Sequence, residues 1–70
     1  MGFVAKVERE RVYLYDVNVS NGQSNFVCEC PSGGYIPASA TVQDGMVMVT
    51  STKGKVFIFD TKGRFVKEMP

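Results

Sequence analysis

Apolar and polar positions alternate with period two along most of the chain, as in Phe3-Val4-Ala5-Lys6-Val7-Glu8 and in Met46-Val47-Met48-Val49-Thr50-Ser51. Valine, isoleucine, tyrosine, phenylalanine and threonine dominate these runs, and glycine or asparagine interrupts them at short intervals. No stretch carries the 3.6-residue period of an amphipathic helix, so the pattern predicts an all-β chain. About seven short strands are expected, over residues 3–8, 11–17, 25–30, 39–43, 46–51, 55–60 and 64–69, joined as an antiparallel meander. Asp44-Gly45 is a favoured two-residue hairpin pair, while Lys53-Gly54 and Lys62-Gly63 put glycine where a short turn needs positive φ.

The pattern is written twice. Val12-Tyr13-Leu14-Tyr15-Asp16 followed by Phe26-Val27-Cys28-Glu29-Cys30-Pro31 returns as Val56-Phe57-Ile58-Phe59-Asp60 followed by Phe65-Val66-Lys67-Glu68-Met69-Pro70. What recurs is the material that builds and ends strands, so the repeat describes a supersecondary unit rather than a chemistry. The copies differ in the turn between these segments, where residues 17–23 with Asn21-Gly22 replace the shorter Thr61-Lys62-Gly63. Insertion at a turn with strands kept on either side is how two β-units diverge.

Strict alternation sets the expected faces. Val12 and Leu14 oppose Tyr13 and Tyr15, and Val56 and Ile58 oppose Phe57 and Phe59, so both middle strands are apolar on both sides. In the strands that follow, Phe26, Cys28 and Cys30 are expected to share one face, as are Phe65, Lys67 and Met69. The glutamates then point outward and a proline closes each strand, which suits an edge.

Residues 39–69, ATVQDG, MVMVTS, TKG, KVFIFD, TKG and RFVKEM after Ser39, resemble one four-stranded blade of a β-propeller of the NHL and related repeats. Residues 3–31 match the last three strands of a second blade. The resemblance implies a single domain over 1–70 made of two blade-like repeats, 3–31 and 39–70, completed by association of several chains into a ring, three chains giving about six blades. A small SH3-like barrel is the alternative fold. The resemblance transfers no functional residue.

Size and composition point the same way. A chain of 70 residues buries a small share of its surface, and such domains commonly rely on disulfides, metals or partners. Its 2 cysteines, Cys28 and Cys30, lie one residue apart. On a strand that spacing is roughly 6.5–7 Å, too long and too ill-directed for an easy bridge. A homo-oligomer in a reducing cytoplasm is therefore expected. Net charge is +1, with 8 basic and 7 acidic residues interspersed, so neither nucleic acid nor membrane is an expected partner. The longest apolar runs fall far short of a membrane span.

Candidate chemistry is sparse. There is no histidine, and no nucleophile elbow or phosphate loop occurs. Asp16 and Asp60 recur at strand ends, where aspartate accepts turn hydrogen bonds. Enzyme activity is not expected, and no cofactor is implied. Cys28-x-Cys30 and Met46-x-Met48 each put two soft sulfurs on one face and would suit Cu(I) if the two strands were neighbours, although Cys and Met are also ordinary core fillers. Tyr13, Tyr15, Asn21 and Tyr35 are the candidates for holding a small molecule or glycan at a cleft between units. The chain is thus read first as a non-catalytic homo-oligomeric interaction or structural module, with Tyr13, Tyr15, Phe57 and Phe59 at the contacts between subunits. A propeller-type lectin is second and soft-metal binding third.

Overall fold

Seven antiparallel strands form in the computed structural model, which describes residues 2–69. They are β1 (Gly2–Glu8), β2 (Arg11–Asn18), β3 (Gln23–Glu29), β4 (Pro37–Gln43), β5 (Met46–Ser51), β6 (Val56–Asp60) and β7 (Phe65–Met69). Each matches an expected strand to within two residues. Pro70, expected to close the last strand, lies outside the described residues.

The strands divide into two sheets, a three-stranded meander β1-β2-β3 and a four-stranded meander β4-β5-β6-β7. Among the described residues each sheet keeps two free edges and the two are not closed into a barrel, so the SH3-like alternative is not what forms. The first sheet has only the three strands that the sequence supplies before Pro31.

Turn chemistry accounts for the tight connections. Asp44 and Gly45 both take positive φ, 53° and 74°, as an Asp-Gly hairpin pair requires. Arg9 and Glu10 adopt the same left-handed pair at 50° and 69° with no glycine to ease it. Ser51-Thr-Lys-Gly-Lys55 and Asp60-Thr-Lys-Gly-Arg64 build one turn twice. Ser51 Oγ accepts from the N–H of Lys53 (3.3 Å) and Lys55 (3.0 Å), and Asp60 Oδ1 accepts from the N–H of Lys62 (2.8 Å) and Arg64 (2.9 Å).

The sheets face each other across one core. From the first come Val12, Leu14 and Cys30, from the second Val47, Val49, Phe57 and Phe59, with Ala5, Val7, Cys28, Tyr35, Ala40 and Val42 packed around them. At its end Gly63, at φ 83°, lies so close to β3 that a Cβ there would stand 2.8 Å from the Glu29 carbonyl oxygen.

Both sheets carry a β-bulge in the last hairpin. Leu14 pairs with Cys28 but Tyr15 with Phe26, leaving Val27 unmatched. Likewise Ile58 pairs with Lys67 but Phe59 with Phe65, leaving Val66 unmatched. A bulge inserts one residue and reverses the side-chain phase beyond it. The expectation that Phe26, Cys28 and Cys30 share a face is therefore corrected: Cys28 and Cys30 turn to the core, and Phe26 turns outward to meet Tyr13 and Tyr15. Phe65 and Lys67 part in the same way, Phe65 joining Phe57 and Phe59 while Lys67 joins Met48 and Ile58 on the other side.

Candidate functional site

Two outward faces dominate the surface. On the first sheet β2 presents Tyr13 and Tyr15, because Val12 and Leu14 between them point inward. Phe26 stands edge-on to both rings, 6.2 Å from Tyr13 and 6.0 Å from Tyr15, and is 60% exposed. Val4 pairs with Tyr15 and Lys6 with Tyr13 on the same face. The Lys6 ammonium reaches across to within 5.5 Å of the Tyr15 ring centre, a cation–π distance. An exposed ion pair of Arg11 with Glu29, at 3.4 Å, borders this face.

On the second sheet the outward face is a shallow apolar groove of about 360 Å³. Met46, Met48, Ile58 and Met69 line it, with Asp44 and Lys67 as its charged members. Lys55 and Glu68 make an exposed ion pair at 3.0 Å, the counterpart in the repeat of Arg11 with Glu29.

A third feature lies where the sheets and their connection meet. Arg9, Arg11, Glu29, Gly33 and Tyr35 are among the residues around an open cavity of about 610 Å³ with a mixed polar and apolar lining. Ser32 Oγ donates to the Tyr35 carbonyl at 2.7 Å, and Tyr35 N–H donates to the Ser32 carbonyl at 3.2 Å, so residues 32–35 form a closed turn. The Tyr35 ring leans on Phe57 at 5.3 Å.

The candidate ligand residues do not converge. Tyr13 and Tyr15 belong to the aromatic outer face, whereas Tyr35 packs beside the core and borders the junction cavity. Asn21 sits in the β2–β3 loop, beyond the opposite end of β2 from Arg11, and an eight-residue strand spans roughly 23 Å. Its Oδ1 accepts from the Gln23 N–H at 2.9 Å, which marks it as a turn residue.

Nor do the sulfurs. Cys28 and Cys30 lie together on the core side of β3, while Met46 and Met48 line the groove on the far side of the second sheet. One face of β5 supplies Val47 and Val49 to the core, so Met46 and Met48, which alternate with them, must point away from the cysteines. Both thiols are free. Burial pushes the Cys30 thiol up to about 12, with Cys28 and the carboxylates of Asp60 and Glu29 adding to the effect. Burial also raises Cys28, partly offset by a hydrogen bond from Cys30. Among the described residues no group of three or more Cys, Asp or Glu side chains is placed to hold a metal.

Phe57 and Phe59 are corrected as subunit-contact residues, since both are buried in the chain's own core. Phe26, Lys6 and Met69 take outward positions that strict alternation did not single out, and Ile58, though only 6% exposed, forms the floor of the outer groove. The recurrence of Phe26 as Phe65 was the available signal, because two copies of one aromatic at one place imply one local geometry.

No helix among the described residues is long and apolar enough to cross a membrane. Compared with known proteins, the chain matches no protein-family model, no curated protein and no solved structure.

Proposed function

We propose that this chain is a non-catalytic module that associates with copies of itself. The observation that carries this reading is the pair of apolar sheet faces on opposite sides of the molecule, Tyr13, Tyr15 and Phe26 on one and Met46, Met48, Ile58 and Met69 on the other. Ile58 is sunk at the floor of its groove, but Phe26 and Met46 stand exposed, and apolar faces of this kind mark interaction surfaces. Four of the groups that could do chemistry are otherwise engaged: Glu29 and Glu68 in ion pairs, Asp60 in its turn, and Cys30 in the core.

In this reading residues 3–31 and 39–70 are two copies of one blade-like unit. Support comes from the bulges at matching places, from the matching ion pairs, and from the ring geometry, in which Phe59 meets Phe65 at 5.9 Å and 74° as Tyr15 meets Phe26 at 6.0 Å and 73°. Two free thiols fit a reducing cytoplasm. Light scattering decides the central point: a molar mass that is a multiple of 7.7 kDa supports association, and a monodisperse monomer ends it.

The second reading is a small-molecule or glycan site in the junction cavity, favoured by Arg9, Arg11, Glu29 and Tyr35 converging there. A glycan-array signal lost in a folded Tyr35→Ala variant supports it. No signal from an intact oligomer leaves the first reading alone.

A further inference from the structure

The contact between the two sheets of one chain is itself a template. The repeat places Val12 with Val56, Tyr13 with Phe57, Leu14 with Ile58, Tyr15 with Phe59 and Phe26 with Phe65. Strand pairing extends the match, since Ala5 lies opposite Leu14 as Met48 lies opposite Ile58, and Val4 lies opposite Tyr15 as Val47 lies opposite Phe59. Across the core, the Val12, Leu14 and Ala5 face of the first sheet packs on the Phe57, Phe59 and Val47 face of the second. These faces are not equivalent in the repeat: each sheet contributes the side that the other leaves outside.

The two faces left over are therefore the missing halves of the same contact. Met48 and Ile58 occupy the places of Ala5 and Leu14, and Tyr13, Tyr15 and Phe26 occupy the places of Phe57, Phe59 and Phe65. We propose that the Met48 and Ile58 groove of one copy receives the Tyr13, Tyr15 and Phe26 face of the next, repeating between chains the packing already made within one. This rests on the homo-oligomeric reading and fixes its geometry. The contact is head-to-tail, because the two surfaces differ, so copies add in one direction until a ring closes or a filament grows. Methionines suit the receiving side, since their flexible thioethers mould to ring edges. Charge neither drives nor opposes the fit: Lys6 stands on the aromatic face, and the groove carries one charge of each sign, Asp44 and Lys67. Two tyrosine hydroxyls and Lys6 replace the apolar atoms of Phe57, Phe59 and Val49, so this contact is wetter than the internal one.

Two blocking variants test it. Phe26→Glu spoils only the aromatic face and Met48→Glu only the groove; each must keep the wild-type far-UV circular dichroism and a cooperative melt. Met46→Lys serves as the groove variant if Met48→Glu unfolds, because Met46 is exposed and sits opposite Asp60. Light scattering is expected to give an associated wild type and two monomeric variants, and an equimolar mixture of the variants is expected to give a species of twice the 7.7 kDa chain mass. That mixture recovers one intact groove and one intact aromatic face, and cannot grow further. A monomeric wild type overturns the homo-oligomeric reading and this proposal together. An associated wild type with Phe26→Glu still fully associated, or with a mixture that stays monomeric, overturns the head-to-tail contact and leaves association standing.

Discussion

Tyr15 and Phe59 hold the same place in the two halves of the chain yet face opposite ways with respect to the core: Phe59 is 1% exposed beneath the first sheet, whereas Tyr15 lies on the outer surface against Phe26 and Lys6. Their local surroundings match, each ring meeting a phenylalanine across a bulged hairpin. What differs is coverage. Only one of two equivalent faces can be covered by a neighbour within a single chain, and the tyrosine hydroxyls sit on the one that is not.

A close approach of the β6–β7 turn to β3 makes Gly63 the glycine least tolerant of a side chain. Its φ of 83° is left-handed, and an added Cβ would meet the Glu29 carbonyl oxygen at 2.8 Å and the Cys28 Sγ at 3.0 Å. Backbone strain and a contact with main chain act together, so Gly63→Ala is expected to cost about 1–3 kcal/mol. In a domain of this size that lowers the melting temperature by roughly 4–8 °C per kcal/mol. Gly54→Ala is the control. It has a similar φ of 84° and no atom within 4 Å of the added methyl, so a thermal melt should show the smaller loss. Equal losses would show that the contact with β3 contributes nothing.

Arg9 and Glu10 offer the opposite opportunity. Both occupy left-handed backbone at φ 50° and 69°, a conformation that costs a residue with a Cβ roughly 1–2 kcal/mol. Replacing the pair by Asn-Gly supplies residues that adopt this turn readily. A gain of about 1–2 kcal/mol is expected in urea denaturation, seen as a higher midpoint at unchanged slope. Arg9 also borders the junction cavity, so the same variant reports whether that cavity needs its guanidinium.

The two cysteines should separate by reactivity. Thiolate is the nucleophile, and the Cys30 thiol, in the core and pushed up to about 12, supplies almost none near pH 8. Cys28 is only partly buried. Iodoacetamide followed by peptide mass mapping is expected to label Cys28 slowly and Cys30 only after unfolding. The raised Cys30 value also carries a sign for stability. The folded chain holds this proton more tightly than the unfolded one, so the contribution is complete below the ordinary value of 9.0 and declines as pH rises toward about 12. Labelling of Cys30 at the rate of Cys28 in the native protein would place both outside the core.

Strand identity and turn placement were legible because the signals are local. Period-two alternation or a short run of β-formers between turn residues marked all seven strands, and Asp44-Gly45, Gly54 and Gly63 took the positive φ that their turns needed. Face assignment was legible only as far as the bulges. An extra residue such as Val27 or Val66 carries no composition mark, since valine belongs in a strand in either register, so Phe26 and Phe65 were placed on the wrong side. The candidate sites failed for a related reason. Whether Cys28 and Met48 share a face depends on how two sheets stack, and that is a long-range choice with no trace in the spacing of either pair.

The repeated turn gives a paired test of charge against geometry. Ser51 and Asp60 hold the same position in their turns, and each accepts hydrogen bonds from the main-chain N–H groups two and four residues on. Ser51 is buried and neutral. Ser51→Ala removes the acceptor for two N–H groups, and a loss of about 1–3 kcal/mol that does not vary between pH 3 and 7 is expected. Asp60 carries a charge and is only partly buried, and the bonds from the Arg64 and Lys62 N–H groups hold its carboxyl below the usual range. A depressed folded value means that the unfolded chain binds the proton more readily. Its contribution is therefore present above the ordinary carboxylate value and disappears as pH falls through the lowered one. Melting curves of wild type and Asp60→Ala should diverge near pH 6 and draw together in acid, while the gap between wild type and Ser51→Ala stays constant. A gap for Asp60→Ala that persists unchanged in acid would mean that the turn needs an acceptor and draws nothing from its charge.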